Sequence, residues 1–207
     1  MVAIVDYGVG NLFSLSASFE KIGYEACITS DKEEIRRADK ILLPGVGAFS
    51  DAAKKLFESG LAEVVCDEAK RGKPILGICL GMQLLFEKSY EYGEHKGLGL
   101  IPGVISPIKD VIPENLKIPH IGWNALSLSG DCPIFKKIKN GDCVYFVHSF
   151  YADCDEKWIS AKAEYGAPLT AAVARENVFG CQFHPEKSGD VGLAILSAFC
   201  EMEVGKC

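Results

Sequence analysis

Strand-like and helix-like segments alternate along roughly the first 90 residues, and no other feature restricts the fold as strongly. Short apolar runs at 1–5, 40–43 and 74–79 each lead into a turn that contains glycine. Segment 11–22, by contrast, has its apolar residues at the spacing of one helix face. Repeated alternation of this kind predicts a parallel sheet that is covered by helices on both faces. Ligands of such sheets bind beyond the carboxyl ends of the strands, where the three turns would lie.

The second half of the chain favours short strands over helices. Strand-like runs separated by turns are predicted at 104–108, 143–147, 158–164, 169–175 and 178–183. Helices are predicted at 82–87 and at 191–200, on either side of this region. We therefore predict a single α/β domain over residues 1–207, with a mostly parallel sheet flanked by helices and an antiparallel extension.

Charge and hydropathy exclude several functional classes. The chain has 22 basic and 28 acidic residues, a formal net charge of −6, and no cluster of lysine and arginine. This balance argues against nucleic acid and anionic membranes as partners. No apolar run approaches the roughly 18 residues that a membrane span needs. Because residues 1–6 also lack the basic start of a signal peptide, we expect a cytoplasmic protein.

The cysteines do not form a metal-binding pattern. There are nine of them, and no two stand in a C-x-x-C pair. We expect no metal and no cofactor, and we expect most of these cysteines to be free thiols in a reducing compartment. Cys181 is predicted in the packed core and Cys207 at a frayed terminus.

The most informative motif is Gly-x-Cys-x-Gly at 77–81, between an apolar strand and a helix-like segment. This is the order of a nucleophile elbow with Cys79 in place of serine. At the start of a helix, free N–H groups and a partial positive charge favour the thiolate. A strand-to-helix turn with packing glycines and a buried cysteine would give the same pattern, so both interpretations remain open.

A cysteine nucleophile needs a base, and the chain has four histidines. His184 ends an apolar strand in His-Pro-Glu, where Glu186 could accept a hydrogen bond from the imidazole and fix its tautomer. His120 and His148 follow apolar or proline-containing runs and remain candidates, whereas His95 lies in a polar stretch.

The third motif is Pro-Gly-Val-Gly at 44–47, directly after a strand of the buried type. A glycine-rich turn there could direct backbone N–H groups at a developing oxyanion, although an ordinary loop would look the same. Neither G-x-G-x-x-G nor G-x-x-x-x-G-K-[ST] is present, which argues against nucleotide binding.

Together, the segments 44–47, 77–83 and 182–186 resemble, in this order, the class I (triad-type) glutamine amidotransferases. The resemblance extends across almost the whole chain. It implies the fold of that family, a flavodoxin-like, mostly parallel sheet. It also implies a triad of Cys79, His184 and Glu186 that hydrolyses the side-chain amide of L-glutamine and supplies ammonia to a partner enzyme.

The resemblance implies further roles around the triad. The oxyanion would be held by backbone N–H groups of Leu80 and of the turn formed by Val46 and Gly47. The α-amino and carboxylate groups of glutamine would be held by Gly47, Gln83, Ser149 and Phe150.

Four more segments, at 6–11, 119–124, 145–150 and 184–189, are similar to one branch of this family. That similarity implies a heterodimer with a (β/α)8 cyclase subunit, which would receive the ammonia through an enclosed path. The predicted contact surface consists of Asn11, Trp123, Tyr145 and Lys187. The alternatives to an interface role are a core position for Trp123 and a solvated side chain for Lys187.

Three other functions remain open at this stage. A relative with the same motifs could supply ammonia to a different synthase. A stand-alone cysteine hydrolase or peptidase could use the same scaffold. A binding module could retain the triad without activity, although an intact set of cysteine, histidine and glutamate argues against this.

Overall fold

The computed structural model describes residues 1–203 and has the alternation predicted for the first part of the chain. The elements of this part, in order, are β1 Val2–Val5, α1 Leu12–Lys21, β2 Ala26–Thr29, α2 Lys32–Arg37, β3 Lys40–Leu43, α3 Phe49–Glu58, α4 Leu61–Lys70, β4 Ile75–Ile78 and α5 Leu80–Leu84. The remaining elements are β5 Phe86–Ser89, β6 His95–Lys96, β7 Ile101–Pro107, β8 His120–Leu128, β9 Cys143–His148, β10 Phe150–Asp153, β11 Ile159–Glu164, β12 Pro168–Arg175, β13 Val178–Cys181 and α6 Gly189–Cys200.

Local sequence explains where α1 begins and which face it buries. The Asn11 side chain accepts a hydrogen bond from the N–H of Ser14 and so caps the helix. Leu15 and Phe19, one turn apart, are buried against the sheet. Gly23 follows with a φ of 77°, a conformation that glycine adopts readily and that ends the helix.

The main sheet has nine strands in the order β2-β1-β3-β4-β13-β12-β11-β8-β9. The strands from β2 to β13 in this order are parallel, and the others form the predicted antiparallel extension. Every residue of β1, β3 and β4 is buried, as expected for strands covered on both faces. The α/β fold class predicted from the sequence is therefore confirmed.

A second sheet was not predicted. It has four strands in the order β10-β7-β5-β6, in which β5 pairs with β7 in parallel. The predicted helix at 82–87 is wrong, because α5 ends at Leu84 and Phe86 begins β5. Pairing with β7 and complete burial of Phe86 outweigh the helical spacing of this short segment.

Within residues 1–203, no helix is both long and apolar enough to cross a membrane. The same part of the chain contains no group of three or more His, Cys, Asp or Glu side chains that could hold a metal ion. Cys181 is fully buried, as predicted, whereas Cys207 lies outside the described residues.

Candidate active site

Three predicted motifs meet at one edge of the sheet. Strands β3, β4 and β13 are parallel neighbours, so the segments that follow their carboxyl ends lie side by side. A cavity of about 320 Å³ opens at this edge. Among the residues that line it are Val46, Gly47, Cys79, Leu80, Gln83, Ser149, Phe150 and His184. The residues predicted around the nucleophile thus surround one cavity.

Cys79 has the backbone geometry of a nucleophile elbow. Its φ is 53° and its ψ is −112°, a conformation that residues with a side chain rarely adopt. Its side chain lines the cavity, and the residue is 8% exposed. The turn requires both flanking glycines: a Cβ at Gly81 would lie 1.9 Å from the carbonyl oxygen of Leu43, and one at Gly77 would lie 2.7 Å from the Gly81 oxygen. The positive φ and the cavity favour a reactive cysteine over an ordinary packed turn.

His184 is the histidine that has a carboxylate partner. Its Nδ1 lies 2.8 Å from Oε1 of Glu186, and the two side chains are only 4% and 1% exposed. Burial by itself lowers the pKa of His184, but hydrogen bonds to Cys79 and Glu186 outweigh burial and raise the pKa to about 9. The imidazole is therefore protonated at neutral pH and can pair with a thiolate at Cys79.

His148 lines the same cavity but is held in a different network. Its Nδ1 donates to the carbonyl oxygen of Phe150 at 2.8 Å, and its Nε2 lies 3.0 Å from Nδ1 of His120. Burial lowers the pKa of His148 to about 3, so the ring is neutral. Both ring nitrogens of His148 already have partners. This favours His184, and not His148 or His120, as the base.

The turn at 44–47 packs directly on the start of α5. A Cβ at Gly45 would lie 2.7 Å from the backbone nitrogen of Gly81 and 3.0 Å from the Tyr7 hydroxyl oxygen. That hydroxyl donates to the carbonyl oxygen of Pro44 at 2.6 Å and holds the turn in place. Burial, and after it the charge of Cys79, raises the pKa of Tyr7. No sequence motif predicts this role of Tyr7, because the residue it contacts lies 37 positions away in the chain.

The second sheet contributes site residues that no sequence motif predicts. The turn between β5 and β6 brings Glu91 and Tyr92 to the cavity. Glu91 Oε2 accepts a hydrogen bond from the backbone N–H of Phe49 at the start of α3. Tyr92 is 91% exposed, and its ring meets Phe150 edge to face with 6.2 Å between centroids. A polar stretch such as 90–96 carries no signal that would place it beside Cys79.

Three of the four residues predicted at the partner surface lie together. Trp123 is 55% exposed, so the alternative of a core tryptophan is wrong. Its ring meets Tyr145 edge to face at 6.0 Å, and Lys187 Nζ lies 5.9 Å from the centre of the Tyr145 ring. Asn11 belongs to another element, where it caps α1.

Comparison with known proteins identifies the family of this chain. Residues 3–201 match the family "Glutamine amidotransferase class-I". A protein of Caldanaerobacter subterraneus subsp. tengcongensis, named imidazole glycerol phosphate synthase subunit HisH, is 51% identical over 98% of this chain and 98% of its own length. A Lactococcus lactis subsp. lactis protein of the same name is 49% identical over 97% of this chain and 98% of its own.

A solved structure described as a glutamine amidotransferase has a similar fold. It superposes with a TM-score of 0.75 at 19% identity and covers 97% of this chain and 100% of that one. The chain therefore belongs to the class I glutamine amidotransferases. Both of these relatives share about half of their residues with this chain, and both carry the HisH name.

Proposed function

We propose that the chain is the glutaminase subunit of imidazole glycerol phosphate synthase, an enzyme of histidine biosynthesis. It hydrolyses L-glutamine to glutamate and ammonia, and it delivers the ammonia to a (β/α)8 cyclase subunit in a heterodimer. The relatives at 51% and 49% identity support the assignment to this synthase. The observation that carries the chemistry is Cys79, in a strained turn, beside the buried pair of His184 and Glu186. We expect the heterodimer to act in the cytoplasm, where cysteines remain free thiols.

In the proposed reaction, the Cys79 thiolate attacks the side-chain amide carbon of glutamine. His184 holds the proton that the thiol has lost and gives it to the amide nitrogen, so the C–N bond breaks and ammonia leaves. A thioester on Cys79 remains. The neutral His184 then takes a proton from water, whose oxygen attacks the thioester, and the C–S bond breaks to release glutamate. Glu186 fixes the tautomer of His184 in both steps.

Two backbone segments are proposed to hold the oxyanion. Leu80 is the first residue of α5, so its N–H has no partner within the helix. Val46 and Gly47 line the same cavity, on the turn that packs against α5. Loss of one such donor typically lowers the rate roughly 100- to 1,000-fold.

The hydrogen bonds of Gln83 limit how it can bind substrate. Its amide nitrogen donates to the carbonyl oxygen of Phe150 at 3.3 Å and to Oε1 of Gln182 at 3.0 Å. Both amide hydrogens are then used, and only its carbonyl oxygen is left for a ligand. That oxygen and the Glu91 carboxylate suit the α-ammonium group of glutamine. Gly47, Ser149 and Phe150 are proposed to hold the α-carboxylate.

The partner is proposed to cover the mouth of the cavity. Ammonia must stay neutral to act as a nucleophile, and neutral water protonates most of it, so release into solvent would waste it. Ile121 and Trp123 on β8 are 57% and 55% exposed, and β8 begins directly after Pro119, which lines the cavity. An exposed apolar patch of this kind is typical of a protein interface. We propose that Asn11, Tyr145 and Lys187 extend this surface.

The test compares glutaminase turnover of the chain alone, with the cyclase, and with the cyclase plus its ribotide substrate. We expect the cyclase with its ligand to stimulate turnover strongly. In the complex, Cys79→Ala should abolish use of glutamine but retain product formation from added ammonium salt, which shows that the partner remains competent. Glutaminase turnover that is the same with and without the cyclase would assign the chain to another partner. Use of glutamine by Cys79→Ala would overturn the mechanism.

A further inference from the structure

A buried amide lies against the nucleophile without a role in the chemistry described so far. Gln182 is 0% exposed and follows β13, two residues before His184. Its Nε2 lies 3.8 Å from Sγ of Cys79, and its Oε1 accepts from Nε2 of Gln83 at 3.0 Å. Both polar atoms of the Gln182 side chain are thus held between the sulfur and a second buried amide.

The orientation of this amide is determined by a backbone carbonyl at the far end of the network. The Phe150 oxygen can only accept, and His148 Nδ1 already donates to it at 2.8 Å. Gln83 must therefore turn its nitrogen, not its oxygen, toward Phe150, at 3.3 Å. The second hydrogen of that nitrogen is directed at Gln182, which must present its oxygen there. The nitrogen of Gln182 is then the atom that faces the Cys79 sulfur.

We propose that Gln182 is a hydrogen-bond donor to the Cys79 thiolate and that Gln83 acts through it as the positioning residue that keeps the donor directed at the sulfur. This inference rests on the proposed function only in taking Cys79 as the nucleophile. The proposal adds Gln182, which follows β13, as a group that stabilises negative charge on the Cys79 sulfur.

The donor acts whenever the sulfur is negatively charged. A hydrogen bond to an ionised acceptor is roughly twice as strong as one between neutral groups, so this contact favours the thiolate over the thiol. The sulfur becomes negative again when water attacks the thioester and the electrons of the breaking C–S bond return to it. Gln182 therefore stabilises the thiolate both before it attacks glutamine and when it leaves in the hydrolysis of the thioester.

The alternative is that Gln182 only fills space and satisfies Gln83. The two hypotheses predict different effects of Gln182 on the ionisation of Cys79, and this ionisation can be measured without glutamine. The rate of iodoacetamide alkylation at Cys79, followed by peptide mass spectrometry as a function of pH, gives the midpoint of thiolate formation in the full chain.

In Gln182→Met, a side chain of similar length has no donor, and we expect the alkylation midpoint to rise by about one pH unit. Gln182→Glu places an acceptor at the sulfur and should raise the alkylation midpoint further. Gln83→Glu leaves Gln182 intact but cannot donate to it or to Phe150. The Gln182 amide should then turn its oxygen toward the sulfur, and the midpoint should rise as well. Cys181→Ala, which removes the buried side chain of the residue before Gln182 at the end of β13, should leave the midpoint unchanged.

Steady-state turnover in the complex supplies the second readout. For Gln182→Met we expect about a tenfold loss in kcat at neutral pH, with partial recovery at higher pH as the thiolate forms. An unchanged midpoint in both Gln182 variants would overturn the proposal, whatever the turnover. Wild-type chain that forms the thiolate normally but never hydrolyses glutamine with the cyclase would instead contradict the proposed function alone.

Discussion

At the scale of single residues, the site depends on charges that are buried together. His184 and Glu186 are only 4% and 1% exposed and lie 2.8 Å apart, and a charge buried to this extent is costly unless it is paired. The pKa of His184 rises from its ordinary 6.5 to about 9, although burial alone would lower it. This shift links the protonation of the base to the stability of the fold.

The linkage gives a prediction for Glu186→Gln. A raised pKa means that the folded chain binds the proton more tightly than the unfolded chain. Its stabilising effect is therefore complete below pH 6.5 and is lost as the pH rises to about 9. Relative to the variant, wild type should gain about 1–2 kcal/mol in free energy of unfolding between pH about 9.5 and pH about 6. Urea denaturation at both pH values measures the difference.

The control for this experiment is Glu63→Gln, which removes an exposed carboxylate from α4. Its effect on the free energy of unfolding should be small and nearly independent of pH over this range. A gap between wild type and Glu186→Gln that stays constant with pH would contradict the linkage to His184.

At the scale of elements, some of the site residues can be predicted from sequence motifs and others cannot. Cys79 and His184 could be predicted because each stands at the end of an apolar strand within a short motif, and parallel strands bring their ends together. Tyr7, Glu91 and Gln182 could not be assigned roles, because their partners are distant in the chain and depend on strand order. The turn that carries Glu91 belongs to a sheet whose pairing of β5 with β7 no local pattern indicated.

That turn leads to a prediction for Glu91→Gln. The variant keeps an oxygen that can accept from the Phe49 N–H but removes the charge proposed to pair with the α-ammonium of glutamine. We expect KM for glutamine to rise about 10- to 100-fold in the complex with kcat within a few-fold of wild type, because the charge acts away from the reacting amide. Steady-state kinetics with glutamine as the varied substrate provide the measurement.

A conservative change on the same turn separates charge from local structure. Glu94→Gln removes an exposed carboxylate that pairs with Lys88, three residues from Glu91. It should leave KM close to wild type. If Glu91→Gln instead lowered kcat with KM unchanged, the carboxylate would act in the transition state and the proposed substrate contact would be wrong.

At the scale of the whole molecule, the fold places the cavity and the exposed apolar patch on neighbouring segments. The cavity opens beyond the parallel strands, whereas the patch lies on β8, in the antiparallel extension. Pro119 at the cavity is followed at once by β8, so the two features are continuous in the chain. A partner bound to the extension would thus lie over the site without displacing any of the parallel strands.

This geometry predicts the effect of Trp123→Ala on assembly. Trp123 is 55% exposed and its ring meets Tyr145 edge to face, so its loss should change the free energy of unfolding little. Tryptophan at the centre of an interface often contributes 2 kcal/mol or more, so the Kd for the cyclase should rise about 30-fold or more. Ile28→Ala removes a 42%-exposed side chain from β2, at the opposite edge of the main sheet, and should leave the Kd unchanged. Titration calorimetry of wild type, Trp123→Ala and Ile28→Ala with the cyclase measures the three Kd values. Equal Kd values for wild type and Trp123→Ala would move the docking surface away from β8 and leave the path of ammonia to be sought at another rim of the cavity.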